Sequence, residues 1–277
     1  MIDFKKLNRI IETALAEDVN TGDITTMSTV PEGTQISGNF IAKAAGVLCG
    51  TSVAAAVFAY IDPSVKLEFF FSDGDNVQRS DVIAHISGTA TSVLTGERLA
   101  LNFMQRMSGI ATRTREAADK VKDFPVRILD TRKTTPGLRM LEKYAVRVGG
   151  GYNHRFTLSD GVLIKDNHIK AAGGITPAVR AARDFVPHTL KIEVETETLE
   201  QVAEAISAGA DIIMLDNMSA ELMSQAVKLI DGRALTEASG NMDEKNLREV
   251  AATGVSFISI GALTNHIRPL DISLKFQ

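Results

Sequence analysis

The chain has 277 residues, 44% of them apolar and 23% charged, a formal net charge of −4 and one cysteine. Such a length allows one large domain or two modest ones, and the composition is that of an ordinary globular protein with ample core. The acidic balance, without a basic stripe of interleaved aromatics, argues against nucleic acid as a partner. No run reaches the roughly 18 apolar residues of a membrane helix, so no membrane partner is expected. The single cysteine excludes an internal disulfide and fits a reducing compartment. The N-terminal MIDFKKLNRIIETALAEDV lacks a secretory core, so a cytoplasmic protein is expected.

Residues 4–17 space Phe4, Leu7, Ile10, Ile11, Ala14 and Leu15 as one face of a helix. EDVNTGDITT follows, a capped turn by composition. ISGNFIAK (36–43) predicts a strand and residues 51–60 a small-residue helix. KLEFFF (66–71) and DVIAHIS (81–87) predict strands around the turn SDGDNV. Cys49 sits in the small apolar run AAGVLCG and reads as a packed thiol. From Thr91, the residues Leu94, Leu99, Leu101, Phe103, Met104 and Met107 predict an apolar helix ending near Ser108–Gly109, with a second helix over Ala111–Val121. Glu97 and Arg98 interrupt the apolar surface and read as an exposed ion pair.

After Pro125 strands and helices alternate. VRILD (126–130), GVLIK (161–165), LKIEV (190–194), DIIML (211–215), ALTEA (234–238) and SFISI (256–260) are apolar strands. Helices are expected around 138–147, over 176–185 with Thr176 as N-cap and Pro177 first inside, over Thr198–Ala208, from about Ala220 to Ile230, and over Asp243–Ala252. This is a parallel α/β region. Asp130, Lys165, Glu193 or Glu195, Asp216, Glu237 and Gly261 close successive strands. Polar groups at nearly every strand end favour a β/α barrel mouth over the single switch point of an open sheet. Six strands are counted where a full barrel needs eight. DISLKF (271–276) alternates and is expected to return to the first domain.

The chemistry concentrates between residues 127 and 165, where Arg127, Arg132, Lys133, Arg139, Lys143, Arg147, Arg155 and Lys165 face only Asp130, Glu142 and Asp160. A cationic island in an acidic chain attracts anions. Arg139, Lys143 and Arg147 read as a solvated helix face. Arg132, Lys133, His154, Arg155 and Lys165 fall at strand ends or in a Gly-rich turn, where side chains converge. ASGNM (238–242) and IGALT (260–264) each follow a strand and open a helix, so Gly240 and Gly261 suit a phosphate cradle aided by helix dipoles. Glu193 and Asp216 suit hydroxyls or a hard cation, or balance nearby charge. Lys165 is open to two readings, a Schiff-base nucleophile of an aldolase or an anion partner. His154 and His168 lack metal-ligand spacing, and no zinc site is expected.

In combination, DTRKTTPGLRMLEKYAVRVGGGYNHR and LIKDNHI, with EDVNTGDITT, AAGVLCG, LTGERLALNFMQRMSGIAT, IEVE, IMLDN, EASGN and IGALTNHIRPLDISL in the same order, resemble the nicotinate-nucleotide diphosphorylase (carboxylating) family, the quinolinate phosphoribosyltransferases. The resemblance covers nearly the whole chain. It implies an N-terminal open α/β sandwich (1–110) joined by the tail (266–277). It also implies an incomplete, seven-stranded α/β barrel (111–265) of the type II phosphoribosyltransferase kind, with the active site at the strand C-termini. The implied reaction converts quinolinate and phosphoribosyl pyrophosphate to nicotinate mononucleotide, CO2 and pyrophosphate, with Mg2+, in NAD biosynthesis. The implied assembly is a homodimer, or a higher oligomer of dimers. Arg132, Lys133, His154, Arg155 and Lys165 match the cationic pocket, with Lys133, Lys165, Glu193 and Asp216 as the catalytic set. Arg98 matches the arginine that crosses to the partner's site. Glu193 and Asp216 match the carboxylates facing the ribose hydroxyls and Mg2+, and Ser239, Gly240, Gly261 and His266 the segments around the 5′-phosphate. The molybdenum-transport-associated relatives are the nearest competing resemblance; intact TRK, NHR and LIKDNH favour the quinolinate enzymes. A phosphoribosyl-ligand sensor without turnover would show replaced pocket charges, and none is replaced.

Overall fold

A computed structural model describes residues 2–243 and 245–276. Met1, Glu244 and Gln277, within the expected first domain, last barrel helix and tail, lie outside the described residues. In chain order the elements are α1 (Phe4–Asp18), α2 (Ile24–Thr29), β1 (Gln35–Ala42), β2 (Gly46–Val47), α3 (Thr51–Ile61), β3 (Lys66–Phe69), β4 (Asn76–Val77), β5 (Val82–Thr89), α4 (Ala90–Lys120), β6 (Arg127–Leu129), α5 (Arg139–Val148) and β7 (Val162–Ile164). They continue with α6 (Asp166–Ala172), α7 (Ile175–Phe185), β8 (Ile192–Thr196), α8 (Leu199–Ala208), β9 (Ile212–Asp216), α9 (Ala220–Ile230), β10 (Leu235–Ser239), α10 (Leu247–Ala252), β11 (Phe257–Ser259), α11 (Ala262–Asn265) and β12 (Ile272–Phe276). Packing divides the chain into two compact units: the chain up to Arg115 with Thr134–Gly150 and the tail from His266, and Glu116–Lys133 with Gly151–Asn265.

The first unit holds an antiparallel sheet in the order β12-β1-β5-β3. Its strands alternate, burying Phe40 and Ala42 of β1, and Phe40 meets Phe58 of α3 edge-on at 6.3 Å. EDVNTGDITT is not only a turn: Asp23 accepts the Thr25 and Thr26 N–H groups at 3.0 and 3.1 Å and starts the short helix α2. The two helices expected between residues 91 and 121 are one helix of 31 residues, α4. Gly109 does not end it. A Cβ there would lie 2.4 Å from the Arg268 carbonyl oxygen, so glycine admits the returning tail instead. Gln105 secures that tail, donating from Nε2 to the Ile272 carbonyl at 2.7 Å and accepting the Leu270 N–H at 2.9 Å.

Helix α5 packs in this first unit, although it follows the first parallel strand in sequence. Its cations are not one solvated face. Arg147 is exposed, but Lys143 is fully buried, at 0% exposure, as are Leu141, Ala145 and Val146 of the same helix. Beside it the buried Glu142 accepts from Arg106 at 2.6 Å and from the Thr135 N–H at 3.1 Å. Helix α5 approaches α4 closely at its end: a Cβ on Gly149 would lie 2.5 Å from the Ala111 carbonyl.

The second unit is built on a six-stranded parallel sheet in the order β6-β11-β10-β9-β8-β7. Tyr152 pairs in parallel with Leu129 on the far side of β6 and supplies the seventh strand position. The interior is apolar: Val194, Ile213, Leu215, Ala238 and Ile258 are completely buried. Two helix starts differ from expectation. Helix α7 begins after Gly174, because the Thr176 N–H and hydroxyl are both drawn to Glu204 at 2.9 Å. Helix α10 begins only after Asn246, whose side chain caps Arg248 N–H. An extra short helix, α6, starts directly after Lys165. Among the described residues, no helix is long and apolar enough to cross a membrane.

Candidate active site

All parallel strands of the second unit run the same way, so their C-terminal ends share one edge. The register sets Asp216, last in β9, beside Ser239, last in β10. Asn217 follows with φ 55°, donates its N–H to the Ser239 carbonyl at 3.0 Å and its Nδ2 to Asp216 at 2.7 Å. Gly240 has φ 89°, and a Cβ there would lie 2.7 Å from the Asn217 backbone nitrogen. Only glycine lets these two loops touch. Gly261 plays the same part after β11: its missing Cβ leaves room for the Lys133 stem, which would otherwise lie 2.9 Å away. Thr264 fixes the Lys133 carbonyl at 2.8 Å, while the Lys133 side chain stays exposed. Among the described residues no helix opens at Gly240 to add the expected dipole to a phosphate cradle, and α10 starts seven residues later. After Gly261, α11 is a single turn. What remains is turn N–H groups beside a lysine.

On β7 and β8 the edge carries an ion pair. Lys165 Nζ lies 3.2 Å from Glu195, with the side chains 49% and 13% exposed. The residue pattern left Glu193 or Glu195 to close this strand, and the resemblance implied Glu193; Glu195 is the one that pairs with Lys165. Period-two alternation sends Glu193 and Glu195 to the same face, but Glu193 is two residues deeper and only 3% exposed. Glu195 and Asp216 are therefore the carboxylates available to hydroxyls or a hard cation at the edge. Lys245 was missed altogether. It donates to the Met218 carbonyl at 3.1 Å, and burial lowers its pKa while Asp216 raises it.

The NHR turn is tied to the end of β6. Asp130, fully buried, accepts from Asn153 Nδ2 at 2.6 Å and from the His154 N–H at 2.9 Å. Arg155 donates to the Gly161 carbonyl at 2.8 Å. Burial, then the neighbouring Arg132 charge, lowers the Arg155 pKa from the usual arginine value, and Glu193 and Asp160 oppose that. Two guanidinium groups are thus held close together.

His154 does not join them as a cation. Its Nδ1 accepts the Arg155 N–H at 2.7 Å, so the ring proton sits on Nε2. Nε2 points inward, 3.1 Å from Glu193 and 3.7 Å from Glu237. Glu237, only 1% exposed, is the other residue that sequence reasoning left without a role. The available signal was a carboxylate inside an otherwise apolar strand. These three groups have the spacing of a metal site, with ligand atoms all within 4.8 Å of one another. The tautomer opposes that use: a metal on Nε2 would move the proton to Nδ1, against the Arg155 N–H donor. The cluster and Arg155 themselves line a cavity of about 340 Å³, together with Arg127, Val162, Ile212 and Phe257, each the first residue of its strand. The cavity therefore runs from the His154–Arg155 turn and the mid-strand glutamates toward the end of the strands opposite the Lys165–Glu195 edge. Arg98 and His266, two further expected site residues, belong to the first unit, and both are exposed.

Known proteins similar in sequence and fold identify the family. The family model for the quinolinate phosphoribosyl transferase N-terminal domain matches residues 23–108, and that for its C-terminal domain residues 110–275. The chain is 46% identical over 269 residues to a probable nicotinate-nucleotide pyrophosphorylase (carboxylating) of Bacillus subtilis, covering 97% of this chain and 93% of that protein. It is 45% identical over 290 aligned positions to the chloroplastic nicotinate-nucleotide pyrophosphorylase (carboxylating) of Arabidopsis thaliana, covering 98% of this chain and 83% of that one. The solved nicotinate-nucleotide pyrophosphorylase of Francisella tularensis superimposes with a TM-score of 0.95 at 40% identity, over 100% of this chain and 98% of that one. The chain belongs to the quinolinate phosphoribosyltransferase family.

Proposed function

We propose that this chain transfers the phosphoribosyl group of phosphoribosyl pyrophosphate to the ring nitrogen of quinolinate, releasing pyrophosphate and CO2 and leaving nicotinate mononucleotide for NAD biosynthesis. One observation carries the reading. The Lys165–Glu195 pair, the Asp216–Ser239–Gly240 corner and the Lys133–Gly261 corner share the C-terminal edge of one parallel sheet.

Arg132 and Arg155 repel each other, and a dicarboxylate between them relieves that repulsion. Guanidinium groups grip carboxylates through paired N–H bonds, so the two arginines orient the pyridine ring. Lys133, beside Gly261, and the turn at Ser239–Gly240 take phosphate oxygens. Asp216 and Glu195 hold the ribose hydroxyls and stabilise the positive charge that develops on the sugar. The nitrogen–carbon bond forms as the bond to pyrophosphate breaks, a step that depends mainly on alignment. The ring nitrogen is then cationic. Its positive charge stabilises the carbanion left on the adjacent carbon when CO2 departs, and that electron pair then forms a bond to a proton. No residue is required as a covalent nucleophile, so Lys165 acts as an anion partner. Asp216 and Glu195 are oxygen donors of the kind Mg2+ prefers alongside substrate phosphates, and the ion when bound neutralises the leaving pyrophosphate. Arg98, exposed on α4, reaches into the site of a second copy in a homodimer. The buried free thiol of Cys49 suits the reducing cytoplasm.

The test is CO2 release from carboxyl-labelled quinolinate with phosphoribosyl pyrophosphate and Mg2+. Stoichiometric CO2 and nicotinate mononucleotide are expected; binding of both substrates without CO2 would refute the proposal.

A further inference from the structure

Lys133 lies in the loop after β6, and both of its backbone polar groups are held by threonine hydroxyls. Its N–H donates to Thr131 Oγ1 at 3.0 Å. Its carbonyl accepts the Thr264 hydroxyl at 2.8 Å. The two threonines belong to neighbouring strand ends of the second unit. Thr131 follows β6, and Thr264 stands in α11 after β11, whose Ser259 is in register with Leu129 of β6. Thr264 is fully buried, so its hydroxyl needs a partner inside the protein. That hydroxyl has one proton and two acceptors within reach. The Gly261 carbonyl lies farther away, at 3.3 Å, and already accepts the Thr264 and Asn265 N–H groups at 3.2 Å. The proton therefore goes to Lys133.

We propose that Thr264 is a positioning residue for Lys133: it fixes the lysine backbone beside Gly261 and so aims the ammonium group at the phosphate oxygens of phosphoribosyl pyrophosphate. A lysine side chain has many rotamers and loses most of that freedom when it grips an anion. Holding its backbone and stem beforehand removes part of the cost. The stem is confined as well. A Cβ on Gly261 would lie 2.9 Å from the Lys133 Cδ and 3.6 Å from Thr131 Oγ1, so the glycine and the two threonines form one clasp around the lysine. Because the Thr264 proton is committed to the Lys133 carbonyl, the threonine acts through the lysine and not on the substrate. The inference rests on Lys133 binding phosphate and adds what aims it.

The experiment compares Thr264→Ser, Thr264→Val, Lys133→Ala and the double variant Thr264→Val/Lys133→Ala with the unmodified enzyme, determining kcat and KM for each substrate. Val keeps the shape and removes the hydroxyl. It is expected to raise the phosphoribosyl pyrophosphate KM about fivefold to tenfold, with the quinolinate KM little changed. Ser restores the hydroxyl and is expected to keep both KM values within about twofold. In the Lys133→Ala background Thr264→Val is expected to add less than about twofold, because no ammonium group is left to aim. Equal damage by Ser and Val, an unchanged phosphoribosyl pyrophosphate KM in the folded Val variant, or a full multiplicative loss in the double variant overturns the proposal. If Lys133→Ala itself leaves kcat/KM unchanged, the phosphate reading of Lys133 fails first. If Lys133→Ala lowers it and Thr264→Val does not, only the positioning role fails. Should Thr264→Val not fold, Thr131→Val loosens the other grip at a half-buried position. A rise of about threefold in the same KM is then expected, and no rise overturns the proposal.

Discussion

Glu193 and Glu195 stand on one strand, on one face, two residues apart, and do different work. Glu195 meets Lys165 at the edge of the sheet, where water and ligands reach both. Glu193 meets a neutral histidine and a second glutamate inside the unit. The exposed pair can exchange partners, as a site for changing charges requires. The buried trio cannot, because the two glutamates are buried from water and ligand. Depth along the strand, more than residue type, decides which carboxylate is available for chemistry.

The largest effect is expected at the edge and its clamp. Lys133→Ala or Arg155→Ala should lower kcat/KM about 10²-fold or more while leaving the circular dichroism spectrum unchanged; near-normal turnover in either would break the division between edge and interior. Mixing Arg98→Ala with Lys133→Ala protein should restore activity to about a quarter of the unmodified level, since half the dimers of a random mixture are mixed and each holds one intact site. No recovery after proven subunit exchange would exclude a crossing arginine.

The two glutamates should separate by readout. Glu195→Gln is expected to lower kcat/KM about tenfold and hardly move the melting temperature, because partly exposed ion pairs stabilise little. Glu193→Ala is expected to lose about 3 kcal/mol of stability, because it strands buried polar partners. The same outcome for both would erase the contrast.

A separate effect should appear with pH. Burial first, and Glu193 second, raise the Glu237 pKa from 4.5 to about 8. Between those values the folded chain binds a proton that the unfolded chain has released. Its stabilising effect is complete below pH 4.5 and lost as pH rises through about 8. Glu237→Gln should flatten that slope in denaturant titrations, and an unchanged slope would show that another group is responsible. The smallest change should come from Lys170→Ala. It breaks an exposed i,i+4 pair with Asp166 at 3.3 Å, worth a few tenths of a kcal/mol, and a shift in midpoint beyond that would point to a further contact.

Much of this was legible in the residues. The parallel strands are apolar runs of three to five residues, and β/α alternation names their class. Arg132, Lys133, Arg155 and Lys165 stood out because cations at strand ends are rare in an acidic chain. Other features resisted for identifiable reasons. Gly109 looks like a helix terminator, because sequence cannot distinguish a glycine that ends a helix from one that admits a neighbouring chain. Lys143 looks solvated, because helical spacing gives the direction of a side chain but not what packs over it. Glu237 was visible and received no role, because its partners lie 44 and 83 residues earlier in the chain.

By itself, then, the sequence determined the element types, the strand polarity and the family, since these rest on local periodicity and ordered motifs. Tertiary structure alone decided which carboxylate reaches the edge, which nitrogen of His154 carries the proton and which lysine is buried. Each of those depends on distances between residues far apart in the chain, and on the energetic cost of removing charge from water.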